Sequence, residues 1–170
     1  MKVTALEEYG LRCMLLFADK ANESPLTLNE ISTREGLSVP YAGKLLMILK
    51  QAGLVRAVRG RRGGYTLARA PEETYLKEIF DALGEPFFGP HHCRRHTGLN
   101  DSCVHAEHCN VRPMWLTIDN FVSGLFNRVT LADLASGTYD FAALLREYAT
   151  QASSEPEPRP AATPDPVNSN

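Results

Sequence analysis

Residues 27–67 read TLNEISTREGLSVPYAGKLLMILKQAGLVRAVRGRRGGYTL, and the fold follows from this stretch. Thr27-Leu28-Asn29-Glu30 is a capping box, in which hydroxyl and carboxylate each satisfy an exposed amide of the first turn, so a helix is predicted from here to Glu35. Gly36 breaks it. Ser38 then serves as the N-cap of a second helix, with Pro40 in the first turn, where a missing amide hydrogen costs nothing. Ala42, Leu45, Leu49 and Ala52 form the apolar stripe of that helix, Tyr41, Lys44 and Lys50 stand on its other face, and Gly53 closes it.

Two helices joined by a short turn at Gly make a helix-turn-helix. Leu54 to Arg59 then alternates as a strand does, Gly60-Arg61-Arg62-Gly63-Gly64 is a turn, and Tyr65-Thr66-Leu67 resumes as a strand. A hairpin with an arginine-rich tip directly after the second helix is a wing. The stretch from 36 to 71 contains no Asp or Glu but carries Lys44, Lys50, Arg56, Arg59, Arg61, Arg62 and Arg69. The formal net charge of -2 therefore conceals a local positive field able to neutralise phosphates, and the expected partner is double-stranded DNA. Ser38, Pro40, Tyr41 and Lys44 are expected to face the major groove. Arg59, Arg61 and Arg62 are expected to grip the backbone or minor groove.

Outward from this core, Val3, Leu6, Tyr9, Cys13, Leu16 and Phe17 recur at helical spacing and predict a first helix over about 4–20, with Cys13 a small core residue. Another helix fits Thr74 to Leu83 and ends at Gly84. The fold class expected is mainly α with a small β wing: a winged helix-turn-helix over 1–84, a Cys/His loop over 85–112, a dimerisation helix and C-terminal helices over 113–150, and a disordered tail over 151–170. The helix from Pro113 sets Trp115, Ile118, Val122 and Leu125 on one stripe with Phe121 and Phe126 beside it, more apolar surface than one small domain covers, so a homodimer is expected. The tail is rich in Pro, Ala, Ser and Glu and cannot bury enough apolar surface to fold. With 44% hydrophobic and 22% charged residues, no apolar run near the ~20 needed to span a bilayer, and no signal-peptide pattern, the chain is expected in the cytoplasm with no membrane partner.

All five histidines and three of the four cysteines fall between His91 and Cys109. In a loop longer than twenty residues, such a concentration of soft donors reads as a brace held by metal. Cys93, Cys103 and Cys109 suit zinc or an iron–sulfur cluster, and the absence of a close C-x2-4-C knuckle favours the cluster. His105 and His108 are further candidate ligands, while His91, His92 and His96 read mostly as solvated loop residues. No nucleotide-binding glycine loop and no Ser/His/Asp set argues for an enzyme.

Leu6-Glu7-Glu8-Tyr9-Gly10-Leu11-Arg12, the Gly53-Leu54-Val55 and Val58 to Tyr65 wing, the three-cysteine loop and Thr130-Leu131-Ala132-Asp133-Leu134 together resemble the winged-helix iron–sulfur transcriptional regulators of the IscR/NsrR family. The resemblance covers Met1 to about Tyr148. It implies a dimeric transcription factor, a repressor, whose operator affinity follows an iron–sulfur cluster, [2Fe–2S] or [4Fe–4S], responding to redox state, nitric oxide or cluster supply. It implies as fourth ligand either a histidine three residues past the last cysteine, where this chain has Arg112, or an acidic residue of the partner's first helix, which matches Glu8. Residue by residue, Glu8 also reads as an exposed carboxylate paired with Arg12. A zinc-braced DNA-binding protein without sensing and an iron–sulfur electron-transfer protein are the alternatives.

Overall fold

The computed structural model describes residues 3–19, 24–60, 63–85, 88–89 and 92–154. The elements are α1 (Ala5–Ala18), α2 (Leu28–Glu35), α3 (Val39–Gln51), β1 (Val55–Val58), β2 (Gly64–Leu67), a 3-10 turn (Pro71–Glu73), α4 (Leu76–Leu83), α5 (His92–Arg95), α6 (Val111–Phe126), α7 (Leu131–Ala135) and α8 (Phe141–Ser154). They form two compact units, one ending at Tyr139 and one beginning at Asp140.

The helix starts are built from repeated capping boxes. Thr4 with Glu7, Thr27 with Glu30, and Thr130 with Asp133 each exchange side-chain and backbone hydrogen bonds. The Thr27 amide, and then its hydroxyl, hold the Glu30 carboxyl below its ordinary range. Gly36 ends α2 at φ 64, in the left-handed region where a Cβ is strained, and its amide turns back to the carbonyls of Ser32 and Thr33. Ser38 caps α3 by accepting from the Tyr41 amide at 3.4 Å.

The core of the first unit is the convergence of α1, α2, α3, α4 and α7. Cys13 and Met14 of α1, Ile31 of α2, Leu45, Leu46 and Leu49 of α3, Ile79 of α4 and Leu131 of α7 are all fully buried. Each large aliphatic side chain so buried contributes on the order of 1.5–3 kcal/mol. The chain leaves this core through α6 and returns in α7, where the Leu76 amide donates to the Val129 carbonyl at 2.9 Å and the Leu131 amide to the Thr74 carbonyl at 2.7 Å. Thr74, buried beside these strand-like bonds, satisfies its hydroxyl on the Ala70 carbonyl.

The wing is an antiparallel pair in register Val55↔Leu67 through Val58↔Gly64. It gains a third lane that the sequence reading lacked: Leu26 and Tyr65 exchange backbone hydrogen bonds of 3.0 and 2.8 Å. The chain entering α2 is thereby stitched to the wing that follows α3.

The predicted helices stand with small shifts of their ends. α6 begins at Val111, two residues ahead of the expected start at Pro113, because Pro113 falls in the first turn, where its missing amide hydrogen is no loss. The Cys/His loop contains the short helix α5. In the second unit, α8 continues beyond Tyr148 to Ser154, so that 151–154, assigned to the tail, are helical, and the Asp140 carboxylate caps its start by accepting from the Ala143 amide at 2.9 Å. The remainder of the expected tail, from 155, lies outside the described residues.

Candidate functional site

Two regions carry the sequence-predicted site residues. The first is the outward face of α3 and the wing. Ser38, Pro40, Lys44 and Arg59 are exposed, as a DNA-facing surface requires, and among the described residues neither Lys44 nor Arg59 is held in an ion pair. Arg61 and Arg62 lie outside the described residues. On either side of them, the Gly63 amide donates to the Gly60 carbonyl at 2.9 Å.

Tyr41 departs from the expectation. It is half-buried, with its ring edge-on to Tyr9 of α1 at 6.0 Å between centroids and 88° between planes. At its place in the helical turn Tyr41 borders the buried stripe, and burying a ring against Tyr9 gains more than leaving it in water. The Arg12 guanidinium sits 5.3 Å from the Tyr9 ring centre and pairs with Glu35 at 2.8 Å. Arg12 is therefore committed to α2, and the expected pairing of Glu8 with Arg12 is not what the structure has. Glu8 is exposed on α1.

The second region is the Cys/His loop. Cys93 on α5, with Cys103 and Cys109, lines one pocket of about 360 Å³, shared with His92, His96, His105, His108, Arg112, Trp115 and Phe88. Glu8 does not line it. The three thiols are half-buried and unpaired by disulfides. Three clustered thiols are the donor set that an iron–sulfur cluster takes, and in kind they fit one. Among the described residues no three His, Cys, Asp or Glu side chains are grouped so as to hold a single metal ion.

Arg112 organises this pocket. As the second residue of α6 it has no carbonyl to bond within the helix, and its amide donates to the Cys109 sulfur at 3.2 Å. Its guanidinium Nη2 reaches the Cys93 sulfur at 3.6 Å. Arg112 thus joins two of the three cysteines. Phe88 and Asp119, unnoticed in the sequence, fix the pocket to α6: the Phe88 amide donates to the Asp119 carboxylate at 3.0 Å. Asp119 is the one acidic residue of α6, which was the available signal. His92 is not a solvated loop residue, since its half-buried ring stacks on His96 at 4.4 Å and lies tilted against Phe88 at 4.7 Å. His91 lies outside the described residues.

Cys13 differs from the other thiols in being fully buried. Burial, with the nearby Glu35 carboxylate adding to it, pushes its thiol up to about 12. Only the thiolate attacks an alkylating agent, so Cys13 is inert. Iodoacetamide at pH 8 is expected to modify the three loop cysteines of the folded apo-protein and the fourth only after denaturation, as intact-mass measurement would show. Labelling of all four thiols in the folded apo-protein would contradict this placement.

The chain matches the family model described as Rrf2, iron-dependent transcriptional regulator, over residues 3–137. It is 33% identical over 134 residues to the protein rrf2 of Nitratidesulfovibrio vulgaris, covering 79% of this chain and 87% of that one. It is 31% identical over 136 residues to the HTH-type transcriptional regulator IscR of Serratia proteamaculans, covering 80% of each. Among solved structures it resembles T. potens IscR, with TM-score 0.63, 28% identity and coverage of 81% of this chain and 88% of that one. CymR, the global cysteine regulator of B. subtilis, superposes as well, with TM-score 0.64, 30% identity and coverage of 81% and 98%. These relatives are regulators and not enzymes, and no described helix is long and apolar enough to cross a membrane. The likeness runs over most of this chain and of each of these relatives, and the chain belongs to the Rrf2 family of DNA-binding transcriptional regulators.

Proposed function

We propose that this chain is a homodimeric, cytoplasmic repressor whose operator affinity is set by an iron–sulfur cluster held in the loop pocket. The observation that carries the reading is the convergence of Cys93, Cys103 and Cys109 on one pocket, with Arg112 donating to two of the sulfurs. The cluster would supply iron that reacts with oxidants and nitric oxide. The three thiolates would bind it, and the fourth donor would be Glu8 of a second copy, or His105 or His108 of the same pocket.

The chain's own residues supply the route from this pocket to DNA. Arg112 anchors the pocket to the first turn of α6, and α6 exposes Val111, Met114, Leu116 and Ile118 with none of its residues buried. An apolar helix left uncovered in one chain is the surface a second copy would bury. Glu8 adjoins Tyr9, whose ring touches Tyr41 of α3. A pull on Glu8 would therefore reach the recognition helix through one aromatic contact.

The test is operator binding by the anaerobically purified protein before and after removal of iron. A difference in affinity of tenfold or more is expected, and equal affinities would defeat cluster control. A second reading, a zinc-braced regulator without sensing, would have to draw its donors from the same pocket, which His92, His96, His105 and His108 also line, although no three described donors are grouped there for a single ion. A colourless, zinc-loaded protein from anaerobic purification would establish it instead.

Within the DNA interface the roles divide. Arg61→Ala and Arg62→Ala are each expected to weaken binding to all sequences and to lower the salt slope by about one, as the loss of a phosphate contact does. Lys44→Ala is expected to relax sequence preference while leaving that slope nearly unchanged. Titrations of specific and random duplex at several salt concentrations separate the two; equal losses on both duplexes for Lys44→Ala would refute its assignment.

A further inference from the structure

The outward face of α3 has an unusual composition for a recognition helix. At about 100° per residue, Val39, Gly43, Met47, Pro40 and Lys44 span roughly 140° of its surface with Met47 near the middle. Ala42, Leu45, Leu46 and Leu49 are buried on the other side. Val39 is 41% exposed and Met47 54%, although both are apolar side chains with room to be covered only from outside. Gly43 lies between them in angle and puts no side chain on this face; a Cβ added there would make only ordinary contact with Leu28, at 3.8 Å. The first eight residues of the helix contain no Asn, Gln or Arg, the side chains that read adenine and guanine through paired hydrogen bonds. Lys44 is the base-edge donor on this stretch.

Resting on the family's DNA-binding role, we propose that α3 reads its half-site chiefly by apolar contact, with Val39 and Met47 packing on thymine C5-methyl groups on either side of Gly43. The methyl group is the one apolar feature of a major-groove base edge, and an exposed Met or Val has no better partner there. The lack of any Asp or Glu from 36 to 71 lets the phosphate backbone approach this face closely enough for the contact. Val39 and Met47 are about 12 Å apart along the helix axis. With the helix lying along the groove, that distance spans three or four base-pair steps at about 3.4 Å each. The half-site selected by this chain therefore carries two thymines at about that spacing, beside the position read by Lys44.

The probe is a duplex enriched from a random pool by binding to the full chain, synthesised once with thymine and once with uracil, which lacks only the C5 methyl. Wild-type protein is expected to bind about fourfold more weakly for each contacted methyl removed, the effect of returning one buried methyl to water. Uracil placed outside the half-site should change nothing. Met47→Ala is expected to bind the thymine and uracil forms alike at one position, Val39→Ala at the other, and Lys44→Ala to keep the discrimination. Because Val39 and Met47 are exposed, these variants should fold as the parent does. Equal binding of thymine and uracil duplexes by wild-type protein, or an undiminished uracil effect in Met47→Ala, overturns the proposal. Failure to enrich any sequence would count against sequence-specific DNA binding itself and is a separate result.

Discussion

Anaerobic incubation with ferrous iron and sulfide is expected to leave the Cys93→Ser, Cys103→Ser and Cys109→Ser variants nearly colourless, whereas Cys13→Ser should develop the same brown chromophore as the parent. The reason is placement: the first three sulfurs line one pocket, and Cys13 is sealed in the core between helices. Stability should move the opposite way. The loop cysteines are half-buried in a segment outside the main core, so their replacement should change unfolding free energy by only ~0.5 kcal/mol in the apo-protein. Cys13→Ser puts a hydroxyl where the thiol is fully buried, and a polar group there without a partner costs about 1–3 kcal/mol. Iron and sulfide counts with denaturant melts of the same four proteins check both halves. A full chromophore in Cys103→Ser would move the donor set toward His105 and His108. A chromophore lost in Cys13→Ser with its fold intact would sink the whole assignment.

Arg112→Ala belongs in the same series. The variant keeps the backbone amide that donates to Cys109 and removes the guanidinium that reaches Cys93. The chromophore should still form, with its midpoint of iron loss by chelator shifted to lower chelator concentration. An unshifted midpoint would reduce Arg112 to a bystander.

What could be read from the sequence and what could not divides along chain separation. The capping box at Thr27, Ala42, Leu45 and Leu49 of the α3 stripe and the glycine turn of the wing are all written within a few residues of each other, and local rules find them, whereas Ala52, expected on that stripe, is exposed past the end of α3, and Leu46 is buried in addition. The Thr4–Glu7 box carries the same signature and could have been read the same way. The contacts that make the sites specific join distant segments: Arg112 to Cys93 across 19 residues, Phe88 to Asp119 across 31, Tyr9 to Tyr41 between the first and third helices. No periodicity encodes those pairs, because each depends on where two independently formed elements come to rest. Tyr41 illustrates the cost. Its residue type and position beside Lys44 suit the groove, but the apolar surface that α1 presents to it was invisible until the helices were packed.

Gly64→Ala is expected to abolish operator binding and to lower stability by about 2 kcal/mol or more, through a collision that no side chain can relieve. A Cβ on Gly64 would stand 2.4 Å from the Leu26 carbonyl oxygen and 2.6 Å from its carbon, both backbone atoms. Relief requires separating Leu26 from β2, and with it the two hydrogen bonds that Leu26 exchanges with Tyr65. Each such bond contributes about 1 kcal/mol net, and a buried one left open costs more. The wing would then hang from β1 alone, and a two-stranded hairpin by itself is marginal in water. The phosphate contacts proposed for Arg61 and Arg62, which follow Gly60 in the sequence, are expected to weaken with it. Gly36→Ala is the informative control: its φ of 64 makes the substitution strained by roughly 1–2 kcal/mol, but nothing lies within 4 Å of the new Cβ and the wing stays stitched. Both variants should melt below the parent, and only Gly64→Ala should lose DNA. Retention of parental affinity by Gly64→Ala would mean that the wing does not need Leu26 to present its arginines.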